Sequence, residues 1–465
     1  MPSRGNFLLF LLLPSLLLAL SGCGSSPEPM RVRSVVLISI DTLRADHLAT
    51  YGYERDTSPH LDQFAADNVV FDRAYAPSFQ TAESHMSVFT GLYPSVHRVY
   101  NGAAGRGGSL FPEIETLPQR FAAHSFQTAG FHGGGNVTGS IGFGRGFHTY
   151  EQVGTPDLAI EWLQERRRDQ PFFLFFHTYR VHDPYVPDPP FDSFFYEGEK
   201  NFDSETFRKL RREQGGRAAR DHFWSQFDTD DPNDVQELVD LYDAGVRQAD
   251  HEIGQLLAAI EELAPRAIVI IMSDHGEEFG EHGGFLHGAL WEELIHVPLM
   301  MRIPHMGDVA GRVPYAVNLI DLNPTILDLA GLPVFEHSQG RSLIPTIRGK
   351  REVHHEILSE RLYPGQQREA YLDRNRAMIV DGWKKLVWDR DKNSYLFDLE
   401  IDPGEQHNLC CDHRFCMDKV HRMRWLTREN ERHRRRLGIP RHEYIAEEVE
   451  VDEELREQLE ALGYV

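Results

Sequence analysis

Residues 268–283 read IVIIMSDHGEEFGEHG: an apolar run stops on a serine, Asp274 and His275, then gives way to acids, glycines and His282. A carboxylate next to an imidazole is metal-ligand chemistry. Three other runs end in a similar way. SVVLISID (34–41) stops on Asp41, QTAGFHGGGN (127–136) on glycines and Asn136, and PFFLFFHTYRVHDP (171–184) carries His177 and His182. A buried carboxylate without a partner is costly, so polar groups delivered by separate apolar runs are read as a site. The segment YAPSFQTAESHMSVFTGLYPSVH (75–97) supplies a hydroxyl, because Thr81 precedes SHMSVFTG, a short helical pattern closed by Gly91. The N–H groups and positive dipole end of such a helix start suit a tetrahedral anion, a phosphate or sulfate. An ordinary N-cap threonine is the alternative.

Apolar runs bounded by turn signals are what strands covered on both faces look like. Between them, ETLPQRFAAHS, DLAIEWLQERR and residues 234–263 place apolar positions at helical spacing. Strands alternating with helices predict an α/β fold with a mostly parallel central sheet flanked by helices. In such sheets ligands bind beyond the carboxyl ends of the strands, which is where Asp41, His177, His182, Asp274 and His275 fall. Residues 185–233 are aromatic and highly charged, an insertion read as a cover over the site or as a solvated excursion. Past residue 345, HHEILSERLY, RNRAMIVDGWKKLVWD and SYLFDLEIDPGEQHNL suggest a small antiparallel subdomain (346–420), followed by a charged helical tail (421–465).

The chain has 465 residues and a formal net charge of -23, enough length for a large core and the wrong sign for nucleic acid or an anionic membrane surface as an electrostatic partner. Its N-terminus is Arg4, an apolar stretch from Phe7 to Leu20, then Ser21 and Gly22, which reads as a secretory signal. Leu20-Ser21-Gly22-Cys23 resembles the bacterial lipobox, which implies a lipid on Cys23, a tether over 23–33, and an exported protein anchored to a bacterial membrane on its periplasmic side or at the cell surface. An uncleaved anchor is the other reading, although the stretch is short against the ~20 apolar residues a spanning helix needs. The remaining cysteines are Cys410, Cys411 and Cys416. Export permits a disulfide between Cys416 and one of the adjacent pair; a zinc knot with His407 and His413 is the competing reading.

The pattern T-x-x-S-H-x-S-x-x-T-G-x-x-P from Thr81 to Pro94 resembles the nucleophile segment of the sulfatase family, within the alkaline phosphatase superfamily. IDTLRADHLATYGY (40–53), SDHGEEFGEHGGFLHGALWEELIHVPL (273–299) and YLFDLEIDPGEQHNL (395–409) resemble further family segments in the same order, so the likeness covers roughly residues 34–410. It implies an alkaline-phosphatase-like catalytic domain over 34–345, one divalent metal at the sheet edge, and a nucleophile bound to that metal. Carried over position by position, Asp41, Asp274 and His275 are metal ligands, His275 standing where sulfatases commonly place Asn. Thr81 is both ligand and nucleophile. His85 replaces the Arg that steadies the nucleophile, while His182 and His287 touch the transferred group or protonate the leaving oxygen, His287 replacing a lysine. Asn136 is a substrate-binding candidate.

The departures from the pattern bear on the chemistry. Sulfatases carry C-x-P-S-R or S-x-P-S-R, whose first residue becomes formylglycine; here the segment is T-A-E-S-H, and a secondary alcohol does not give that aldehyde. Thr42 replaces a carboxylate often found after the first Asp. The set resembles superfamily members that use threonine on phosphoryl groups, and its mixed ligation suits manganese or zinc better than calcium. The expectation is a hydrolase of sulfate or phosphate-type esters on a small molecule, glycan or lipid, with phosphodiester or phosphonate cleavage favoured by Thr81. An envelope phosphoethanolamine- or phosphoglycerol-type transferase and a catalytically silent binding lipoprotein are the alternatives. Glu277 and Glu278 read as ligand support or as solvated loop acids, and His282 as a support behind the ligands or as a hydrogen-bonded loop residue.

Overall fold

A computed structural model describes residues 33–101, 108–195, 201–304, 311–350, 356–361, 375–380, 383–389, 394–411 and 413–440, with single positions at 1, 306, 457, 459, 461 and 462. The expected signal peptide, nearly all of the tether, and much of the tail beyond 440 lie outside the described residues. So does part of the insertion.

The strands in chain order are β1 (Val35–Ile40), β2 (Val69–Tyr75), β3 (Gln127–His132), β4 (Thr149–Gln152), β5 (Phe172–Thr178), β6 (Ile268–Met272), β7 (Glu278–Phe279), β8 (Phe285–Leu286), β9 (His296–Val297), β10 (Leu299–Arg302), β11 (Gly311–Asn318), β12 (Glu356–Arg361), β13 (Asn375–Val380), β14 (Lys384–Asp389) and β15 (Tyr395–Asp398). The main sheet runs β11-β2-β10-β6-β1-β5-β3-β4, with β9 on β2. Within it β1 pairs in parallel with β5 and β6, and β3 with β4 and β5. The short β10 runs against both of its neighbours.

Side chains alternate along the central strands into two cores. Val35 and Leu37 of β1, Phe173 and Phe175 of β5, and Ile268 and Ile270 of β6 face Met86, Phe89, Phe121 and Ile326. Those belong to the helices Thr81–Thr90, Leu117–Ala123 and Leu322–Ala330. Val36, Ile38, Leu174 and Ile271 face the other way, onto Leu163 and onto Leu241, Val246 and Ile253 of the 32-residue helix Pro232–Leu263. Helices thus cover both faces of a mostly parallel sheet, as the strand–helix alternation predicts. The sequence reading found β1, β3, β5 and β6 but not β2, β4, β10 or β11.

The second sheet, β12-β13-β14-β15, is antiparallel. Leu358, Leu386 and Leu396 on it pack against Val420 and Met423 of the helix His413–Arg436. That helix starts before the expected tail boundary at 421. Its apolar stripe is what buries one face of the small sheet, so it belongs with the subdomain. A disulfide joins Cys410 to Cys416 at its start, choosing between the two bonds the sequence left open and using two of the thiols a zinc knot would need.

Candidate active site

Asp41 directly follows β1, and Asp274 lies two residues beyond β6. The strands are parallel neighbours with Ser39 opposite Met272, so both carboxylates arrive at one sheet edge. On the other side of β1, His177 of β5 stands opposite Ser39. Ligand-capable atoms of Asp41, Asp274 and His275 lie within 4.8 Å of one another. All three residues are fully buried.

The loops are tied so that particular atoms face inward. The Gly133 main chain donates to Nδ1 of His177 (3.3 Å), leaving Nε2–H to donate to Oδ2 of Asp41 at 3.0 Å. Thr42 donates its N–H to Oδ1 of Asp274 (3.3 Å), and Leu43 to the Ser273 hydroxyl (2.9 Å). Thr42 holds a φ of 56°, the left-handed region that a β-branched residue adopts only under constraint. His275 donates from Nδ1 to the Gly276 carbonyl at 2.9 Å, so its Nε2 lone pair faces the cluster. A side chain at Gly276 would meet the Glu293 carbonyl at 1.9 Å, so this turn requires glycine.

Thr81 opens the helix Thr81–Thr90, after Gln80 at the cap and before Gly91 in the left-handed region. Its hydroxyl lies 3.4 Å from Nε2 of His275. His85 reaches Thr81 through the main chain: Nδ1 donates to the Thr81 carbonyl (2.8 Å), and Nε2 accepts from the Ser39 hydroxyl (2.9 Å). Ser84 donates to the Asp274 carbonyl at 2.7 Å. One helix turn is thereby pinned to β1 and to the turn after β6.

The residues present fit a divalent cation. Among the described residues, Oδ1 of Asp41 and Oδ2 of Asp274 are buried without a hydrogen-bond partner. Burial, and then the charge of Asp274, push Asp41 well above the usual carboxylate range; a hydrogen bond from Thr81 opposes the rise. Two buried carboxylates in one place do not both carry charge unless a cation joins them. With Asp41 Oδ1, Asp274 Oδ2, His275 Nε2 and Thr81 Oγ, the donor set is three oxygens and one nitrogen.

Two further histidines line the same place. His182 donates from Nδ1 to the Asp183 carbonyl (2.7 Å). Its ring centre is 5.3 Å from that of His287, which in turn is 4.7 Å from that of His275. Burial holds His287 down to about 4 and His182 well below the usual imidazole range. Asn136 is buried in the turn Gly135–Val137, which packs against the helix Thr81–Thr90. Its side-chain nitrogen has no hydrogen-bond partner among the described residues.

The insertion bears on the site through Asp183. Arg220 (2.5 Å) and Trp224 (2.7 Å), on the insertion helix Gly216–Trp224, both donate to the Asp183 carboxylate. Sequence reasoning placed His177 at this edge without a specific role, and did not single out Ser39, Ser84 or Asp183. His177 had one legible signal, its place at the end of an apolar run. His282 stacks on Trp291 and sits near Glu293 and Glu405, but the Lys385 ammonium lies 2.9 Å from Glu405 and takes the place a cation would fill.

Comparison with known proteins gives this geometry a family. The sulfatase family profile matches residues 33–332, and a profile for the C-terminal part of N-sulphoglucosamine sulphohydrolase matches residues 280–430. A sulfatase of Formosa agariphila is 25% identical over 458 residues, covering 82% of this chain and 84% of that protein. An N-acetylglucosamine-6-O-sulfatase of Bacteroides thetaiotaomicron is 23% identical, covering 86% of each chain. Among solved structures, a phosphonate monoester hydrolase of Agrobacterium radiobacter superposes with a TM-score of 0.70 at 19% identity, covering 86% of this chain and 96% of that one. With a profile match that takes in the main sheet, both carboxylates and the helix opened by Thr81, the chain belongs to the sulfatase family of ester hydrolases.

Proposed function

We propose that this protein is a metal-dependent hydrolase of sulfate or phosphate-type esters that works through a covalent ester on Thr81. The observation that carries the reading is the Thr81 hydroxyl, 3.4 Å from His275 Nε2 beside two buried carboxylate oxygens that have no hydrogen-bond partner among the described residues. A bound divalent cation would lower the pKa of the Thr81 hydroxyl and neutralise charge on the non-bridging oxygens. Asp41, whose carboxylate stands beside the Thr81 hydroxyl, accepts the hydroxyl proton. The Thr81 oxygen attacks in line, the bond to the leaving alcohol breaks, and His287 or His182 gives that alcohol a proton. Water then resolves the ester. Manganese and zinc suit this donor set better than calcium.

A threonine does not yield formylglycine, and this favours phosphodiester or phosphonate esters over sulfates. The relatives' names span both chemistries, an N-acetylglucosamine-6-O-sulfatase by sequence and a phosphonate monoester hydrolase by fold. The test is a panel of aryl sulfates, phosphodiesters and phosphonate monoesters with manganese or zinc present. Wild type should cleave at least one class and Thr81→Ala at least about a thousandfold more slowly. Equal rates for the two proteins would remove Thr81 from the mechanism.

We also propose export and anchoring through a lipid on Cys23, on the strength of the Leu20–Cys23 sequence. Cys23→Ser should move the protein from the membrane fraction to the soluble exported fraction. An unchanged distribution would contradict the anchor.

A further inference from the structure

The residue that replaces the family's lysine does not stand alone. His287 Nδ1 lies 2.9 Å from Oε1 of Glu277, a carboxyl fully buried while the imidazole is 8% exposed. The chain around the pair is built to hold it. Arg44 donates to the Glu277 carbonyl at 3.1 Å, fixing that turn. Leu286, directly before His287, has a φ of 67°, a strained conformation for a branched side chain, and it turns the next residue toward Glu277. The ring of His287 stands over that of His275, next to the Thr81 hydroxyl.

We propose that Glu277 is a positioning residue that fixes His287 as the proton donor to the leaving oxygen, a role resting on the hydrolase reading above. The Glu277 carboxyl holds Nδ1 at 2.9 Å, so Nε2 is the ring nitrogen left for the site, and the proton it offers there is the one the leaving oxygen takes. As the Thr81 oxygen bonds to phosphorus or sulfur, the leaving oxygen takes the electron pair of the breaking bond and the Nε2 proton. Nε2 is then left with a lone pair. In the second half, Nε2 takes a proton from the attacking water, which resets the pair. A lysine ammonium already carries its proton and needs no such partner. An imidazole held on one face by a carboxylate does the same work.

The test uses the full chain loaded with metal and two sets of substrates, esters of nitrophenol and esters of phenol or an alkyl alcohol, measured for wild type, Glu277→Gln, Glu277→Ala and His287→Ala. Glu277→Gln keeps a hydrogen-bonding group of the same size, so it controls for folding. Loss of the proton donor matters most where the leaving alcohol is a poor one. Glu277→Gln and Glu277→Ala should therefore lose about a hundredfold on phenyl or alkyl esters, within the range for a general acid, and under about threefold on nitrophenyl esters. Adding Glu277→Gln to His287→Ala should cost nothing further, since the two act as one unit. Equal losses on both substrate sets, no loss at all, or additive losses in the double variant would each overturn the role of Glu277 and leave the hydrolase reading standing. A wild-type protein that cleaves no ester of either set would overturn that reading and this one with it.

Discussion

At the scale of single residues, the site is decided by which lone pairs are already used. Asp41 has one oxygen taken by His177 and Asp274 one taken by the Thr42 main chain, and the second oxygen of each has no hydrogen-bond partner among the described residues. These outer hydrogen bonds thus leave one oxygen of each carboxylate for the proposed cation. Asp41 and Asp274 were legible because each stops an apolar run. His177 was placed at the same edge but its partner was not legible, and only the register of β5 against β1 sets it on Asp41. His177→Ala should weaken metal binding about 10–100-fold, in the range for such outer partners, as measured by titrating metal-free protein with manganese or zinc. Unchanged affinity would strip His177 of that role.

At the scale of elements, the insertion reaches the site region through Asp183. Burial lifts the Asp183 carboxyl to about 6 against the opposing pull of Arg220. The clamp from Arg220 and Trp224 thus holds the loop that carries His182. Arg220→Ala leaves that buried carboxyl short of a donor and should cost about 1–3 kcal/mol of stability, read from denaturant unfolding, together with a fall in kcat larger than any change in KM. A fall in stability with kcat intact would show that the clamp serves the fold and not His182. The helix Thr81–Thr90 was readable from its pattern and its closing glycine. Its attachment was not: Ser39, His85 and Ser84 link three segments whose spacing in the chain carries no common signal.

At the scale of the whole molecule, four chain segments meet around one buried pair of carboxylates, and a cation bound there would be a folding ligand as well as a chemical one. Metal held at a hundred times its Kd adds about 2.7 kcal/mol, so chelation should lower Tm and returning manganese or zinc should restore it. A variant carrying Asp41→Asn and Asp274→Asn should show no such response. A Tm indifferent to chelator in the wild type would argue against a cation bound by these residues. Among the described residues no helix is long and apolar enough to cross a membrane, so the anchoring proposal rests on the N-terminal sequence.

The sequence by itself determined the fold class, the four strands with long apolar runs, the helix opened by Thr81, and the residue types that meet at the strand ends. These are local properties, written in periodicity and in where an apolar run stops. β10 was hidden because four residues such as Leu299–Arg302 pair only when longer neighbours are in place, and β2 and β11 because charged or exposed residues break their apolar runs. Only the tertiary structure decided that His177 serves Asp41, that Glu277 serves His287, that the insertion grips Asp183, and that Cys410 rather than Cys411 bonds Cys416. Each is a choice between equivalent partners, and distance in the folded chain makes it.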